Sequence, residues 1–328
     1  MKVLFVAGRW AQDVDKSESL KELRKLAYVE IAESGDEKIL KEKAKDVDVI
    51  ITGGPITGEV IRSADKLKMI QTTSVGYDYI DEATAAAHWA IICNVGGVNA
   101  NSVVELCFGM ILDIARRISA HNRSMREGSW TRVDIERQIE IRGSTIGIVG
   151  LGAIGSRMAQ FAKHALNMKI LTCDLYITEA KAEQFCAKLV DLETLMKDSD
   201  IVTVHVPLND ETRHMIGEKE LRLMKPTAIF ANTSRGPVVD EQALVKILKE
   251  KRISGACLDV FEVEPLSIDN PLRNLENVSL VPHIGSTPGI MVKMRETAVK
   301  NVIRVAKGLP PMSIQTLKTY YSNPKWVK

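Results

Sequence analysis

Long apolar runs are missing from this sequence. None approaches the roughly 20 residues that a transmembrane helix needs, and the N-terminal MKVLFVAGRW becomes polar too soon for a signal peptide. Charge of one sign is also lacking, because 44 Lys and Arg face 42 Asp and Glu, which leaves a net charge of +2. No basic block marks a nucleic-acid surface. We therefore expect neither a membrane nor a nucleic acid as a partner.

Cysteine is scarce and forms no metal or redox motif. The five cysteines are Cys93, Cys107, Cys173, Cys186 and Cys257. None belongs to a CxxC pair, and their spacing fits no zinc motif. Four of them lie in apolar runs or helical patterns, where reduced cysteines pack as small hydrophobic side chains. The pattern predicts a cytoplasmic protein without a metal site.

Internal repeats and low-complexity segments are also lacking, and a βα alternation takes their place. A length of 328 residues predicts about two domains. Apolar runs at 2–6, 47–52, 68–73 and 90–95 alternate with amphipathic stretches, as in βαβ units. These runs do not alternate in polarity, which is typical of parallel strands covered on both faces.

A long helical pattern leads from these runs to a second βα unit. Apolar residues recur with a 3.6-residue period from Ser102 to Ile118, and the polar stretch 127–142 predicts a loop or arm. The later apolar runs lie at 144–150, 169–173, 201–206, 228–232, 255–260 and 278–281. A last helix is predicted over 289–307, and the tail from Ser313 shows no period. We therefore predict an α/β protein with two doubly wound parallel sheets.

A glycine-rich turn opens the second unit. Gly150, Gly152 and Gly155 form G-x-G-x-x-G between a predicted strand and a predicted helix. In such a turn the first glycine permits the tight bend, the second lets a pyrophosphate approach the backbone, and the third allows the helix to pack on the strand. The helix N-terminus then offers N–H groups to the phosphates. The pattern predicts a dinucleotide site.

Asp174 predicts which dinucleotide binds. It ends the next apolar run, 19 residues after Gly155, where an acid meets the adenosine ribose. A carboxylate accepts hydrogen bonds from the ribose hydroxyls and repels a 2′-phosphate. The sequence therefore favours NAD over NADP.

Candidate catalytic residues follow three predicted strands of this unit. Ligands of open parallel sheets bind beyond the carboxyl ends of the strands, and Arg235, His283 and either Glu262 or Glu264 lie there. A guanidinium binds a carboxylate in a fork, and an imidazolium can donate a proton to a carbonyl oxygen. A carboxylate beside the imidazole orients the ring and keeps its pKa near neutrality. This set suits the reduction of a 2-keto acid. Spacing alone does not separate Glu262 from Glu264, and none of the other five histidines has an assigned acidic partner.

The whole chain resembles the D-2-hydroxyacid dehydrogenases, the family of D-3-phosphoglycerate dehydrogenases and glyoxylate/hydroxypyruvate reductases. The matching segments are SVGYDYID (74–81), NANSVVE (99–105), GLGAIG (150–155), HVPLNDET (205–212), NTSRGPVVDE (232–241), LDVFEVEP (258–265) and PHIGS (282–286). The resemblance implies that Arg235, Glu264 and His283 are catalytic, which selects Glu264 over Glu262. It also implies a Rossmann NAD domain, residues 99–287, inserted into a flavodoxin-like substrate domain made of 1–98 and 288–328.

The resemblance extends to the binding residues and the assembly. The substrate contacts that it implies are Val75, Gly76 and Arg235. The implied cofactor contacts are Gly150, Gly152, Ala153, Ile154, Gly155, Asp174, Val206, Pro207, Thr233, Ser234, Arg235, Asp259, His283 and Gly285. The family is usually homodimeric, and the arm at 127–142 would join the contact.

Three alternatives remain open at this point. The loop ITGGPIT (51–57) has no Lys or Arg for a phosphate, which favours a small substrate such as glyoxylate or hydroxypyruvate, although Arg62 could supply the charge for a D-3-phosphoglycerate dehydrogenase. A non-catalytic NAD-sensing protein, such as the corepressors that share the fold, is a second reading. A formate or phosphite oxidoreductase is a third, and Glu264 counts against the formate enzymes because they have Gln there.

Overall fold

The computed structural model describes residues 1–8 and 17–322. They form two compact units, one made of Met1–Asn99 with Pro288–Lys328 and the other of Ala100–Thr287. We call them unit 1 and unit 2 and number their elements along the chain. No helix of the described residues has the length and apolar character needed to cross a membrane.

Unit 1 is built on a five-stranded parallel sheet. Its strands are β1 (Lys2–Val6), β2 (Tyr28–Ala32), β3 (Val49–Thr52), β4 (Met69–Thr72) and β5 (Ile91–Cys93), in the order β2-β1-β3-β4-β5. The described helices of the unit are α1 (Glu18–Leu26), α2 (Glu37–Ala44), α3 (Gly58–Arg62), α4 (Glu82–Ala87), α12 (Pro288–Ala306) and α13 (Leu317–Ser322). Strands β3 to β5 are buried throughout, and apolar clusters cover both faces of the sheet. This strand order is that of flavodoxin-like folds.

Unit 2 carries a seven-stranded parallel sheet. Its strands are β6 (Thr145–Val149), β7 (Lys169–Cys173), β8 (Ala187–Leu189), β9 (Ile201–Val204), β10 (Ile229–Asn232), β11 (Gly255–Leu258) and β12 (Val278–Leu280), in the order β12-β11-β10-β9-β6-β7-β8. The described helices are α5 (Ala100–Arg116), α6 (Ile118–Arg126), α7 (Ala153–Leu166), α8 (Glu179–Glu183), α9 (Leu192–Asp198), α10 (Glu218–Leu223) and α11 (Glu241–Lys249). Strands β6 to β11 have the Rossmann order, and β12 extends the sheet beside β11, so the predicted fold class is confirmed.

The strand register of unit 2 aligns the carboxyl ends of its strands. Val149 of β6 pairs with Cys173 of β7 and with Val204 of β9, and Val204 pairs with Asn232 of β10. Asn232 pairs in turn with Leu258 of β11, which pairs with the last residue of β12. Whatever follows these strands in the sequence therefore emerges along one edge of the sheet.

The prediction of a single helix over 102–118 is wrong at its C-terminal end. Helix α5 stops at Arg116, Arg117 takes a left-handed conformation (φ 54°), and α6 starts at Ile118. Asp113 fixes this break, because its carboxylate accepts hydrogen bonds from both the backbone N–H and the hydroxyl of Ser119. A local side-chain acceptor of this kind competes with helix continuation.

Candidate active site

The glycine-rich turn lies between β6 and α7, as its sequence predicts. Gly150 has φ +89°, and a Cβ atom on Gly155 would lie 2.0 Å from the Gly150 carbonyl oxygen, so both positions require glycine. A Cβ atom on Gly152 would meet nothing within 4 Å, so the backbone there is open to a ligand. Gly152 is the N-cap of α7 without a side-chain cap, and the first turn of that helix carries no acidic residue. This start of a helix fits the pyrophosphate of a dinucleotide.

Asp174 follows β7 and is joined to the glycine turn. Its Oδ2 accepts a hydrogen bond from the Leu151 N–H at 2.8 Å, and its Oδ1 accepts one from the Tyr176 N–H at 2.9 Å. The carboxylate is thus held at the turn by backbone donors. This placement fits the role in ribose recognition that the sequence predicts.

Arg235 lies in the loop after β10. Its backbone carbonyl accepts a hydrogen bond from the Asn232 amide at 2.8 Å, and its own Nη1 donates to the Ser234 carbonyl at 2.8 Å. The following Gly236 has no room for a side chain, because a Cβ atom there would lie 1.9 Å from the carbonyl carbon and oxygen of Phe261. Glycine at this position therefore lets the loop that carries Arg235 pack against the loop after β11.

Glu264 and His283 form a hydrogen-bonded pair beside that loop. Nδ1 of His283 lies 2.8 Å from Oε2 of Glu264, and Oε1 of Glu264 accepts a bond from the Phe261 N–H at 3.1 Å. Because Nδ1 faces the carboxylate, Nε2 is the imidazole atom left to exchange a proton with a substrate. His283 itself has φ +53°, in the left-handed region that few non-glycine residues adopt.

The electrostatics of the pair favour its charged form. The hydrogen bond to Glu264 raises the pKa of His283 above its ordinary value of 6.5, against the opposing effect of burial. Burial alone would raise the pKa of Glu264, but the hydrogen bond and charge of His283, together with Arg235, hold it below its ordinary value. A carboxylate next to an imidazolium is the arrangement that a general acid at neutral pH requires.

Asp259 anchors the loop of His283. This residue is 1% exposed, and its two carboxylate oxygens accept the backbone N–H groups of Ile284 (2.6 Å) and Gly285 (3.0 Å). Its carbonyl accepts the N–H of His283 at 2.9 Å. Burial raises the pKa of Asp259, although these N–H donors work against that rise. The structure gives Asp259 a positioning contact that sequence reasoning did not predict.

Glu262 binds partners other than His283. Its Oε1 lies 2.7 Å from Nε2 of His214 and accepts the backbone N–H of Glu241 at 3.2 Å. Glu241 returns the contact, because its Oε2 accepts the N–H of Glu262 at 3.1 Å. The two acids that spacing could not separate therefore belong to different pairs, and only Glu264 contacts His283. His214, for which the sequence offered no acidic partner, has one.

The other histidines are poor candidates for a proton donor. His88, His121 and His164 each contact a backbone carbonyl. His205 is fully enclosed, and burial lowers its pKa to about 3, so it is neutral at physiological pH. Within the described residues, no group of three or more His, Cys, Asp or Glu side chains could hold a metal ion.

The other cofactor and substrate contacts predicted from the sequence lie at the start of α7 or directly after a strand. Ala153 and Ile154 open α7, Val206 and Pro207 follow β9, and Thr233 and Ser234 follow β10. The Ser234 hydroxyl donates to the Val206 carbonyl, which joins two of these segments. Val75 and Gly76 belong to unit 1, in the loop after β4.

Comparisons with known proteins identify the family. A sequence profile described as "D-isomer specific 2-hydroxyacid dehydrogenase, NAD binding domain" matches residues 108–285. The chain belongs to this family. It is 42% identical to a glyoxylate reductase of Thermococcus litoralis, over 87% of this chain and 88% of the relative. It is 40% identical to a D-3-phosphoglycerate dehydrogenase of Methanocaldococcus jannaschii, over 88% of this chain and 55% of the relative.

A solved structure matches the fold over almost the whole chain. It is the D-lactate dehydrogenase of Aquifex aeolicus in complex with NAD and lactic acid, with a TM-score of 0.82 and 29% identity over 98% of each chain. The protein is thus an NAD-dependent D-2-hydroxyacid dehydrogenase, which interconverts a D-2-hydroxy acid and its 2-keto acid.

Proposed function

We propose that this dehydrogenase reduces a small, unphosphorylated 2-keto acid of the glyoxylate or hydroxypyruvate type, with Arg235, Glu264 and His283 as its catalytic residues. The observation that carries the proposal is the 2.8 Å contact between His283 and Glu264. Glu264 lies in the loop after β11, which packs against the loop of Arg235. Unit 2 is the NAD domain in this account, and unit 1 is the substrate domain.

Each catalytic side chain has one task in the reaction. The bound NADH supplies the hydride. The guanidinium of Arg235 binds the keto acid and polarises its carbonyl, since its planar fork fits neighbouring oxygen acceptors. His283 donates a proton from Nε2 to the carbonyl oxygen. The ionised Glu264 stabilises the imidazolium before this step and keeps the remaining proton on Nδ1 after it. In the direction of oxidation, the neutral imidazole takes the proton back.

The binding residues complete the proposal. The cofactor contacts are Gly150, Gly152, Ala153, Ile154, Gly155, Asp174, Val206, Pro207, Thr233, Ser234, Arg235, Asp259, His283 and Gly285. The backbone N–H groups of Val75 and Gly76 bind the substrate carboxylate. These roles are supported by the family resemblance and by the positions of the residues after the strand ends.

The absence of a basic residue in loop 51–57 supports an unphosphorylated substrate. Arg62, the nearest alternative along the chain, is paired with Glu59 at 2.7 Å and donates a long bond to the Thr84 hydroxyl. A phosphate would have to compete with these partners. The name of the Thermococcus relative favours the same substrate class, and that of the Methanocaldococcus relative keeps D-3-phosphoglycerate as the second candidate.

NADH oxidation with a panel of keto acids tests the substrate class. We expect kcat/KM to be highest for glyoxylate or hydroxypyruvate and at least tenfold lower for phosphohydroxypyruvate, because a phosphate without a cationic partner loses hydration that nothing replaces. A tenfold loss corresponds to about 1.4 kcal/mol. Pyruvate, which has the same carboxylate charge but neither a 3-hydroxyl nor a phosphate, serves as the unphosphorylated control. A higher kcat/KM for phosphohydroxypyruvate than for every other compound would select the second candidate.

A second prediction concerns the cofactor. The wild-type enzyme should prefer NADH to NADPH, because Asp174 repels a 2′-phosphate. Asp174→Asn keeps an acceptor oxygen but removes the charge. It should lower the ratio of kcat/KM with NADH to kcat/KM with NADPH by roughly tenfold. The measurement is kcat/KM for both cofactors at fixed ionic strength. Equal use of the two by the wild-type enzyme would contradict the role of Asp174.

We further propose a cytoplasmic homodimer. Several apolar side chains of α6 and the arm 127–142 are exposed, among them Trp130 (89% exposed) and Met125 (51%), which supports a dimer interface that covers them.

The five cysteines are free thiols, which supports a reducing compartment such as the cytoplasm. Burial raises the pKa of Cys107 to about 11 and that of Cys93 to about 12, so neither is a reactive thiol.

A further inference from the structure

Unit 1 contains a line of buried amide side chains that leads to the loop after β4. Gln71 is fully buried, Asn301 is 2% exposed and Asn94 is 7% exposed, in a unit whose core is otherwise mostly apolar. Burying an amide is unfavourable unless its donors and acceptors find partners. The partners of these three side chains therefore show what the amides hold in place.

One end of the line is the segment 312–316, which follows α12. The Asn301 side chain binds both backbone groups of Met312, accepting from its N–H at 2.7 Å and donating to its carbonyl at 2.9 Å. The segment then runs antiparallel to β5 through a bridge between Ile314 and Cys93. The Thr316 hydroxyl accepts the N–H of Ile92 at 2.9 Å. The tail, in which the sequence showed no period, thus covers the edge strand of the sheet.

Gln71 links this end to β5 and the loop that follows it. Its Oε1 accepts a hydrogen bond from the Asn301 amide at 2.7 Å. Its Nε2 donates to the carbonyls of Thr72 at 2.8 Å and of Asn94 at 3.1 Å. Asn94 is held on its other side by the tail, because its N–H donates to the Ser313 carbonyl at 3.1 Å.

The other end of the line fixes three consecutive carbonyls. Asn94 donates from Nδ2 to the Val75 carbonyl at 2.7 Å, and its Oδ1 accepts the Gly96 N–H at 2.9 Å. The Thr72 hydroxyl donates to the Ser74 carbonyl, and the Ser74 hydroxyl to the Gly76 carbonyl, each at 2.8 Å. Side-chain donors therefore bind every carbonyl from 74 to 76.

Holding the carbonyls also aims the N–H groups. A trans peptide is planar, so the N–H of each residue points away from the carbonyl of the residue before it. The bond from Thr72 to the Ser74 carbonyl sets the direction of the Val75 N–H. The bond from Asn94 to the Val75 carbonyl sets that of the Gly76 N–H. These are the two N–H groups assigned above to the substrate carboxylate.

We propose that Asn94 is a positioning residue for the substrate carboxylate, and that segment 312–316 supports it through Asn301 and Gln71. The inference rests on the proposed function, because it takes Val75 and Gly76 as the carboxylate-binding groups. Asn94 does not touch the substrate; it acts by presetting the orientation of a peptide plane. A satisfied buried network of this kind specifies one backbone conformation.

The test is Asn94→Ala, with Leu40→Ala as the matched control. Leu40 is 1% exposed on α2 and its apolar side chain makes no hydrogen bond, so its truncation lowers stability without removing any bond of the network. Asn94→Ala removes two hydrogen bonds, to the Val75 carbonyl and from the Gly96 N–H, and we expect KM for the best keto acid to rise on the order of tenfold. Its kcat should change less than threefold, and its Kd for NADH should stay at the wild-type value. Leu40→Ala should lower Tm and leave KM unchanged.

Hydrogen exchange of the peptide that covers 73–77 gives a second readout without substrate. Its amides should exchange faster in Asn94→Ala than in the wild type, and at the wild-type rate in Leu40→Ala. Should Asn94→Ala not fold, Thr72→Val removes one donor with little change of shape and should show the same selective rise in KM and in exchange. Asn301→Leu should show the effect from the far end of the network.

The outcomes separate this inference from the proposed function. A wild-type protein that reduces no 2-keto acid would overturn the proposed function, and the inference with it. Activity with an unchanged KM in the folded Asn94 and Thr72 variants would overturn the inference alone. Equal losses in KM, kcat and NADH affinity, with no change of exchange at 73–77, would also overturn it, because they indicate a general structural effect.

Discussion

Replacing His283 with alanine is expected to lower kcat/KM for keto-acid reduction by about 10²–10⁴-fold, the usual contribution of general acid catalysis. The carbonyl oxygen gains negative charge as hydride reaches the carbon, and in this variant no side chain at that point of the loop can protonate it. His283 is one of fourteen proposed cofactor contacts, and those of the glycine turn and of Asp174 lie after other strands, so the Kd for NADH should change far less than kcat/KM. The measurement is steady-state kinetics beside the Kd for NADH.

A second histidine variant serves as the control. His164 is exposed on α7 and contacts only a backbone carbonyl of its own helix among the described residues. His164→Ala should keep kcat/KM within twofold of the wild type. If His283→Ala retained more than a tenth of the wild-type kcat/KM, the proton donor would have to be sought elsewhere.

Arg235→Ala should cause a loss of similar size for a different reason. Truncating one partner of a buried charge pair costs about 2–5 kcal/mol, which corresponds to roughly 30-fold to 5,000-fold in kcat/KM. Arg235→Lys keeps the charge but not the planar fork, so it should recover only part of the loss. Arg235 is also one of the proposed cofactor contacts, but the others remain in both variants, so the Kd for NADH should change far less than kcat/KM.

The matched control for Arg235 is Arg222. Its guanidinium binds Glu218 and Glu250 on the surface of unit 2. Exposed ion pairs of this kind contribute little to the free energy of unfolding. Arg222→Ala should leave kcat/KM unchanged. A loss below threefold in Arg235→Ala would show that Arg235 does not bind the substrate.

The fold could be predicted wherever apolar patterns are continuous. The fully buried strands β3, β4, β9, β10 and β11 are plain in the sequence because both of their faces are covered. Strand β2 was missed, because it lies at a sheet edge and carries Glu30 in its centre, where Lys43 pairs with it at 2.7 Å. Strand β8 was missed for a similar reason: it has three residues at the other sheet's edge.

Residue chemistry and spacing predicted the components of the site, whereas the choice of Glu264 over Glu262 came from the family resemblance alone. The strand ends alone brought Arg235 and His283 together, since parallel strands release their loops at one edge. Residue chemistry did not distinguish Glu262 from Glu264, because both follow the same strand and both are carboxylates. What separates them is the direction of each side chain, towards His214 or towards His283. That direction depends on Glu241 and Phe261, which no local pattern connects to the site.

The pH dependence of reduction tests the pair of His283 and Glu264 most directly. Reduction needs the imidazolium, so kcat/KM should fall as pH rises through the raised pKa of His283, above the ordinary value of 6.5. Glu264→Gln removes the charge that raises this pKa, so its fall should move to lower pH. Glu262→Gln, beside His214, should keep the wild-type profile. The measurement is kcat/KM for the best keto acid from pH 5 to 9 in the three proteins. A profile that moves in Glu262→Gln and stays fixed in Glu264→Gln would contradict the account.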